Sequence, residues 1–286
     1  MRATVLALAL ASSLACAAEL PLVVQHLSGA PIATDEPPQP VSWGVPLPRG
    51  AVATADQLRL LGPDGKALPC QFDPMATWDR GKSLKWVLLS FMLDPKQASG
   101  LKLAYGVKAT AAAPAGVFVK DDGGAVIVDT GVLRTYLLKR SGMLDNVRLR
   151  VRGEERQFIG AAESYLVAAG GNYQGRFVAG PAQITVTRRG PRLATLRCAG
   201  WYEQNGTKLC QYINRLTFSA GSPVIEISQT FILTEQTGKV AFADIGLKLP
   251  LAGEWVGSFG LDGQVVEAPA GRDALQRWLR QDTPDH

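Results

Sequence analysis

Short segments in which apolar and polar side chains alternate, separated by turns rich in glycine or proline, make up most of this sequence. The alternation is clearest at residues 224–233, where Ile225, Ile227 and Phe231 alternate with polar side chains such as Glu226. Residues two positions apart lie on the same face of a β-strand, so this segment is predicted to be a half-buried antiparallel strand. Further strands are predicted at residues 58–61, 84–91, 101–105, 116–120, 125–129, 132–138, 144–151, 164–168, 182–188, 193–202 and 209–218. The sequence therefore predicts an all-β fold.

The distribution of these strands predicts two domains. Residues 110–115 contain Pro114 and no large side chain, which is typical of a junction between domains. The short strands before this segment predict a small β-barrel at residues 19–112. The longer strands after it, at regular spacing, predict an antiparallel β-sandwich at residues 113–270.

The end of the chain is the one place where a helix is predicted. At residues 273–280, Leu275, Trp278 and Leu279 are spaced at i, i+3 and i+4, which places them on one face of a helix. Residues 271–286 are therefore predicted to form a short helix and a tail.

The N-terminus has the features of an export signal. Arg2 supplies a positive charge, residues 5–14 are almost continuously apolar, and Ala15-Cys16-Ala17 fits a cleavage site. The apolar run is about ten residues long, whereas a membrane span needs roughly twenty, so no stable membrane span is expected. Residues 1–18 are therefore predicted to be a signal peptide, and the protein to be periplasmic or secreted. A lipoprotein signal at Cys16 is the less favoured alternative, because the residues before it fit such a signal poorly.

Composition and charge restrict the classes of partner. The chain of 286 residues has 47% hydrophobic and 19% charged residues, which is typical of a globular protein with a sizeable core. Its formal net charge of +5 is small, and the basic residues are spread along the predicted strands, so nucleic acid is not an expected partner. A modestly basic surface fits an anionic small molecule or an acidic glycan, although it is equally common in other soluble proteins.

Three cysteines follow the predicted signal peptide: Cys70, Cys198 and Cys210. Asn205-Gly206 predicts a hairpin turn between the last two, and a disulfide across this hairpin is chemically possible in an exported protein. A two-residue loop would place these two cysteines on opposite faces, whereas a three-residue loop would place them diagonally on one face. The sequence leaves this disulfide open.

Nucleophilic and metal chemistry have few residues to draw on. His26 and His286 are the only histidines, so neither a Ser-His-Asp arrangement nor a histidine metal site is predicted. The cysteine spacing does not match a zinc site, and no spacing singles out a pair of catalytic carboxylates. No catalytic residue, metal ligand or cofactor is therefore assigned, and a role for calcium is left open.

Residues 76–83 satisfy a relaxed phosphate-loop pattern. A phosphate loop leads a strand into a helix, but the segment that follows is rich in leucine, aromatic and β-branched residues and predicts a strand. A hairpin is predicted instead, with Asp79-Arg80-Gly81-Lys82 at its tip and with Trp78 and Trp86 packed on the barrel.

The segment Val147-Arg148-Leu149-Arg150-Val151-Arg152 has an arginine at every second position. In a strand the three guanidinium groups would form a cationic row with a repeat of about 7 Å. Such a row could bind sugar carboxylates through paired hydrogen bonds. The alternative is a solvated face neutralised by acids such as Glu154 and Glu155. Trp78 could likewise stack on a sugar ring, although tryptophan in small barrels is more often part of the core.

Residues 41–50 (VSWGVPLPRG), 57–60 and 78–87, in this order, resemble the start of the exo-rhamnogalacturonan lyase family, also called PcRGLX/YetA-like. Residues 215–223 resemble a stretch of the second domain of that family. The resemblance implies a RIFT-type β-barrel, then a β-sandwich and a large helical toroid, in proteins that cleave rhamnogalacturonan from a chain end by β-elimination. This sequence contains the first two parts and not the toroid, so a truncated and non-catalytic member is expected.

Elimination needs a cation for the uronate carboxylate, a base for the neighbouring proton and an acid for the leaving oxygen. Tyr136 and Lys139, together with the arginine row, are the candidates for these roles. The predicted substrate-binding residues are Arg148, Arg150, Arg152, Tyr136 and Trp78. The resemblance implies an acidic, pectin-type polysaccharide or oligosaccharide as the partner. Three functions stay open: a non-catalytic, glycan-contacting part of a lyase-like protein, a complete small lyase, and a structural or protein-docking module without sugar affinity.

Overall fold

A computed structural model describes residues 18–25, 32–106, 116–171, 173–236, 238–253, 257–261 and 264–268, the last two ranges as backbone alone. Residues 1–17 of the predicted signal peptide, the junction at residues 110–115 and the C-terminal helix lie outside the described residues, as do both histidines. Within the described part, the only helical segments are two short 3-10 turns, Ala55–Gln57 and Pro95–Gln97. The prediction of an all-β fold is confirmed.

The strands form two compact units. They are β1 Ala18–Pro21, β2 Gln39–Pro46, β3 Leu58–Leu61, β4 Ala67–Leu68, β5 Gln71–Trp78, β6 Ser83–Leu93, β7 Lys102–Tyr105, β8 Phe118–Asp121, β9 Ala125–Asp129, β10 Leu133–Leu138, β11 Met143–Val151, β12 Glu154–Ile159, β13 Glu163–Ala169, β14 Gly175–Arg189, β15 Leu193–Gln204, β16 Thr207–Ser219, β17 Ile225–Ile232, β18 Ala241–Lys248, β19 Gly257–Leu261 and β20 Gln264–Ala268. The first unit ends at Val117 and includes Arg189–Ala194, and the second comprises Phe118–Arg188 and the chain from Thr195. The domain boundaries derived from the sequence stay a prediction.

Two antiparallel sheets build the first unit. Strands β1-β7-β3-β4 form one sheet and β2-β6-β5 the other. Alternate residues of β6, such as Val87, Leu89 and Phe91, are buried in a core that also contains Leu101 and Leu103. Burial of these side chains removes apolar surface from water and is the main stabilising contribution to this unit.

The β5–β6 hairpin has the tip predicted from the sequence. Strand β5 ends at Trp78 and β6 begins at Ser83, so residues 79–82 form the loop. Asp79, Arg80 and Gly81 all have positive φ angles. Because a strand and not a helix follows this loop, the phosphate-loop interpretation is excluded, as predicted.

The second unit contains a five-stranded sheet, in the order β12-β11-β10-β9-β8, and a six-stranded sheet, in the order β17-β16-β15-β14-β13-β18. The β19–β20 hairpin is separate. Leu133 and Val147 of the smaller sheet and Ile225 and Ile227 of the larger one line the same cavity of about 170 Å³. Apolar side chains from two antiparallel sheets therefore meet, as in a β-sandwich. The inward direction predicted for Ile225 and Ile227 is confirmed.

The buried hydroxyls of Ser164, Tyr202 and Tyr212 in the larger sheet of the second unit have hydrogen-bond partners. Gln229 donates from Nε2 to the Ser164 and Tyr202 hydroxyl oxygens, at 2.6 and 2.8 Å. These two hydroxyls are 2.8 Å apart, and the Tyr212 hydroxyl donates to the Gly180 carbonyl at 2.6 Å. Buried polar groups that keep such partners avoid the cost of desolvation without compensation.

The cysteines of the second unit are free thiols. A two-residue loop, Asn205-Gly206, joins β15 to β16, and both residues have positive φ angles, which is typical of a type I′ hairpin. Cys198 and Cys210 are buried and not bonded to each other, so the structure does not contain the disulfide that the sequence left open. In the part of the chain that is described, no helix is long and apolar enough to cross a membrane.

Candidate functional site

The outer face of the five-stranded sheet brings together most of the predicted site residues. Along β10, Leu133, Thr135 and Leu137 are buried, whereas Arg134 and Tyr136 alternate with them and are partly exposed. Successive side chains of a strand point to opposite faces, so the last two lie on the side of the sheet that faces away from the core. We call this side the outer face.

The strand register places charged residues next to one another on the outer face. Arg134 lies opposite Asp129 of β9 on one side and opposite Arg148 of β11 on the other. Arg150 of β11 lies opposite Glu155 of β12. Residues directly opposite each other on neighbouring antiparallel strands share a face, so three guanidinium groups and two carboxylates meet here.

Arg150 is the most fully bonded of the three arginines. Its Nη1 and Nη2 atoms donate to the two Asp129 oxygens at 2.8 and 2.7 Å, and Nη1 also donates to the Gly131 carbonyl at 2.8 Å. Nε and Nη2 donate to Glu155 Oε1 at 3.2 and 3.0 Å. All three guanidinium nitrogens thus have protein partners, and Arg150 has little capacity left for a ligand.

Hydrogen bonding from Arg150 holds the pKa of the Asp129 carboxyl well below its usual range, and the backbone N–H of Gly131 and the side chain of Arg134 act in the same direction. The pKa of Arg150 is raised, chiefly by its hydrogen bonds to Asp129. Both groups therefore stay charged at neutral pH. Arg134 completes the cluster, with Nε and Nη2 each 3.0 Å from Asp129 Oδ2.

Arg148 differs from Arg150 because its partners are weak. Its Nε atom donates to Asn146 Oδ1 at 3.0 Å, and its Nη1 atom lies 3.9 Å from Glu155 Oε2. The Arg148 side chain is 44% exposed, against 29% for Arg150. The register also places Asp145 and Lys120 beside Tyr136 on this face, so four basic groups face three carboxylates, which leaves an excess positive charge. Arg148 is the arginine best placed to offer it to an anion.

The predicted row of three arginines is wrong for Arg152. Strand β11 ends at Val151, and Arg152 has a φ angle of 52° in the two-residue turn that leads into β12. Alternation along the strand therefore does not extend to this residue. The alternative was that Glu154 and Glu155 neutralise the arginines. Glu155 does pair with Arg150, whereas Glu154 pairs with Arg156 at 2.9 Å.

Aromatic and basic side chains border the charged cluster. Tyr136 lies opposite Ile127 of β9 and is half-buried on the same face as Arg134. Phe118, which is 55% exposed, lies opposite Asp129 at the edge strand β8. Lys139 does not join them, because its Nζ atom donates to both Asp121 oxygens at 2.8 Å.

Trp78 belongs to the first unit, whereas the outer face belongs to the second. Its indole N–H donates to the Leu47 carbonyl at 3.1 Å, and the Lys85 Nζ atom lies 4.5 Å from the ring centroid. Beside it, Arg49 donates from Nε to Asp79 Oδ2 at 2.6 Å. The ring is thus fixed by a backbone hydrogen bond and by a cation–π contact.

Sequence reasoning missed three residues of the outer face: Phe118, Asp129 and Arg134. Asp129 lies at the end of a recognisable strand, yet its role depends on pairing with strands that come later in the chain. A group of three or more His, Cys, Asp or Glu side chains able to hold a metal ion does not occur among the described residues.

The described chain is thus an all-β protein of two units, with a charged and aromatic sheet face in the second. Residues 23–106 match the family model of the PcRGLX-like N-terminal RIFT barrel domain. The first unit is therefore a RIFT barrel domain of this kind, and the resemblance described above is confirmed for it. The match covers less than a third of the 286 residues. No curated protein matches the chain.

Proposed function

We propose that this protein is exported and is a rhamnogalacturonan lyase-like protein whose β-rich part contacts an acidic, pectin-type glycan without cleaving it. The family match of residues 23–106 supports the relation to these lyases. The apolar N-terminal run with its cleavage pattern supports export to the periplasm or the medium.

The uneven charge of the outer face is the observation that carries the glycan proposal. Arg134 and Arg150 are paired with Asp129 and Glu155, whereas Arg148 keeps donors that no strong partner occupies. A uronate carboxylate accepts the hydrogen bonds of Arg148, as carboxylates do in bidentate arginine pairs. A neighbouring sugar ring packs against a flanking aromatic side chain, and the pyranose C–H groups lie on its π face.

The contacts of Lys139 and Arg150 support binding without cleavage. Lys139 is held in an ion pair with Asp121. An ammonium in this arrangement has no free electron pair with which to accept a proton. Arg150, which could have neutralised a substrate carboxylate, is already saturated by Asp129 and Glu155.

A complete lyase acting by β-elimination is the second candidate function. Tyr136 favours it, because this side chain shares the outer face with the arginines, and elimination needs an acid near a cation. On this alternative, Arg148 would neutralise the uronate, and Tyr136 as the phenolate would take the proton beside the carboxylate and return it to the leaving oxygen as the C–O bond breaks.

One titration separates these functions. Purified mature protein is mixed with rhamnogalacturonan oligosaccharides, and bound ligand and the absorbance of unsaturated uronate are followed in the same samples. We expect binding without product. Product formation would replace our proposal by the lyase alternative, and neither binding nor product would leave a structural or docking module.

Two arginine variants test the site itself. Arg148→Gln removes the excess charge of the outer face and should weaken binding. The matched control is Arg156→Gln. Arg156 is exposed on the same sheet, but it follows Glu155 directly in β12 and lies opposite Leu149, so it belongs to the other face of the sheet. Equal losses in both variants would show that binding follows overall charge and not this site.

A further inference from the structure

The three-stranded sheet of the first unit carries an exposed tryptophan, Trp86, which is not part of the site proposed on the second unit. Along β6, Val87 and Leu89 point into the core, and Trp86 alternates with them and is 43% exposed. Its cross-strand neighbours are the exposed and small side chains of Pro46 and Ala76. The indole therefore stands above its surroundings on this side of the sheet.

Gly44 determines where the indole lies. A Cβ atom at this position would fall within 3.0 Å of the Trp86 atoms Nε1, Cε2 and Cζ2, which is closer than real Cβ contacts. The ring thus packs against the β2 backbone in the space left by the missing side chain. This contact limits the rotamers of Trp86 and holds the ring in place before any ligand binds.

Basic side chains lie along the β5–β6 hairpin next to this tryptophan. Arg80, Lys82 and Lys85 are exposed, and so is Arg49. Asp79 is the acid of the hairpin tip, and it pairs with Arg49. Among the residues that the structure describes, neither Arg80 nor Lys82 has an ion-pair partner. The hairpin beside Trp86 is therefore positively charged.

We propose that Trp86 and the basic hairpin form a second binding site, for an oligosaccharide that contains uronic acid. A sugar ring stacks on the indole, and a carboxylate further along the chain contacts Arg80 or Lys82. Lys82 precedes Trp86 by four residues, which is about 13 Å in an extended strand, so the ligand is longer than one sugar. The choice of ligand rests on the proposed function, whereas the site is independent of Arg148.

A sugar chain fits this surface better than a protein partner does. The centre of a protein interface is apolar and contains few lysines. The cross-strand neighbours of Trp86 are instead Pro46 and Ala76, and the basic residues Arg80 and Lys82 lie further along the hairpin, at its tip. Complementary charge and one isolated, preorganised ring are features that suit an anionic chain with flat apolar faces.

Trp86→Ala and Trp43→Ala provide the matched test. Trp43 is 62% exposed on the same sheet, but it lies opposite Leu89, which points to the core side. Binding of a galacturonic acid oligosaccharide is measured by calorimetry on the mature protein that also carries Arg148→Gln, which removes the contact in the second unit. Trp86→Ala should weaken binding about tenfold, whereas Trp43→Ala should leave it unchanged.

The basic part of the site has its own test. Arg80→Gln with Lys82→Gln should weaken binding of the free acid and leave binding of the methyl-esterified oligosaccharide unchanged. Thermal unfolding of each variant shows whether it is folded. Unchanged affinity in Trp86→Ala, or equal losses in Trp86→Ala and Trp43→Ala, would overturn this site. If Arg148→Gln alone costs no affinity while Trp86→Ala does, the proposed site in the second unit fails and this one stands.

Discussion

The Arg150 guanidinium reaches across strand β10 to both carboxylate oxygens of Asp129, with distances of 2.8 and 2.7 Å from Nη1 and Nη2. The two residues belong to β11 and β9, which are not neighbours in the sheet. This bidentate pair joins β11 to β9 across β10 and leaves Arg148 as the arginine with spare donors. The pair therefore has a structural role, and ligand contact falls to the residue beside it.

Replacing Arg150 should destabilise the protein more than replacing Arg148. Arg150→Gln leaves Asp129, whose side chain is only 14% exposed, without its main partner. We expect a loss of about 1–2 kcal/mol in the free energy of unfolding for Arg150→Gln, and less than about 0.5 kcal/mol for Arg148→Gln. Urea denaturation measures both. Equal losses would show that the bidentate pair has no special role.

The stability of the second unit should depend on pH through Asp129. Its pKa is lowered in the folded state, so its contribution is present above the unfolded pKa of about 3.9 and is lost as the pH falls below that value. Wild-type protein should therefore exceed Asp129→Asn in free energy of unfolding at pH 6, and the difference should shrink by pH 3. Denaturant unfolding at both pH values tests this. A constant difference between the two proteins would contradict it.

The buried Cys198 and the half-buried Cys70 should be unreactive until the protein unfolds. Burial raises the pKa of the Cys198 thiol to about 12, and that of the Cys70 thiol to about 12 as well. The thiolate is the nucleophile, so both react slowly at neutral pH. A thiol reagent should label these residues only after denaturant is added. Mass spectrometry without reductant should show no bond between Cys198 and Cys210.

Three of the strands that sequence patterns missed lie at the edges of their sheets. Strands β2 and β5 contain Pro40, Pro46 and Pro74, which read as breaks in a strand. Both lie at the edges of the sheet β2-β6-β5, where proline is tolerated because one side of the strand makes no ladder hydrogen bonds. Strand β12 begins with charged residues at a sheet edge and shows no apolar alternation. Interior strands with an apolar face, such as β10, were predictable.

The candidate site was predictable only in part, because some of its contacts depend on strand pairing and not on local sequence. Alternation along β11 is a local property, so it predicted correctly that Arg148 and Arg150 share a face. Arg152 departs from it because the turn with Gly153 begins one residue earlier than the charge pattern suggests. Asp129 meets Arg150 through strand pairing, which is a tertiary property that no spacing in the sequence encodes.

Gly44 and Trp86 should be energetically coupled, and a double-mutant cycle measures the coupling. Gly44→Ala places a methyl group within 3.0 Å of the indole, so either the ring or the β2 backbone must move. Overpacking of this kind should cost about 1–3 kcal/mol in the free energy of unfolding.

The cost of Gly44→Ala should nearly vanish in the Trp86→Ala background, because the methyl group then occupies vacated space. The two changes act on contacting residues, so their effects should not add. Urea denaturation of the wild type, the two single variants and the double variant gives the coupling energy. Additive losses would show that the indole does not pack against Gly44, and the fixed ring on which the second glycan site depends would then be absent.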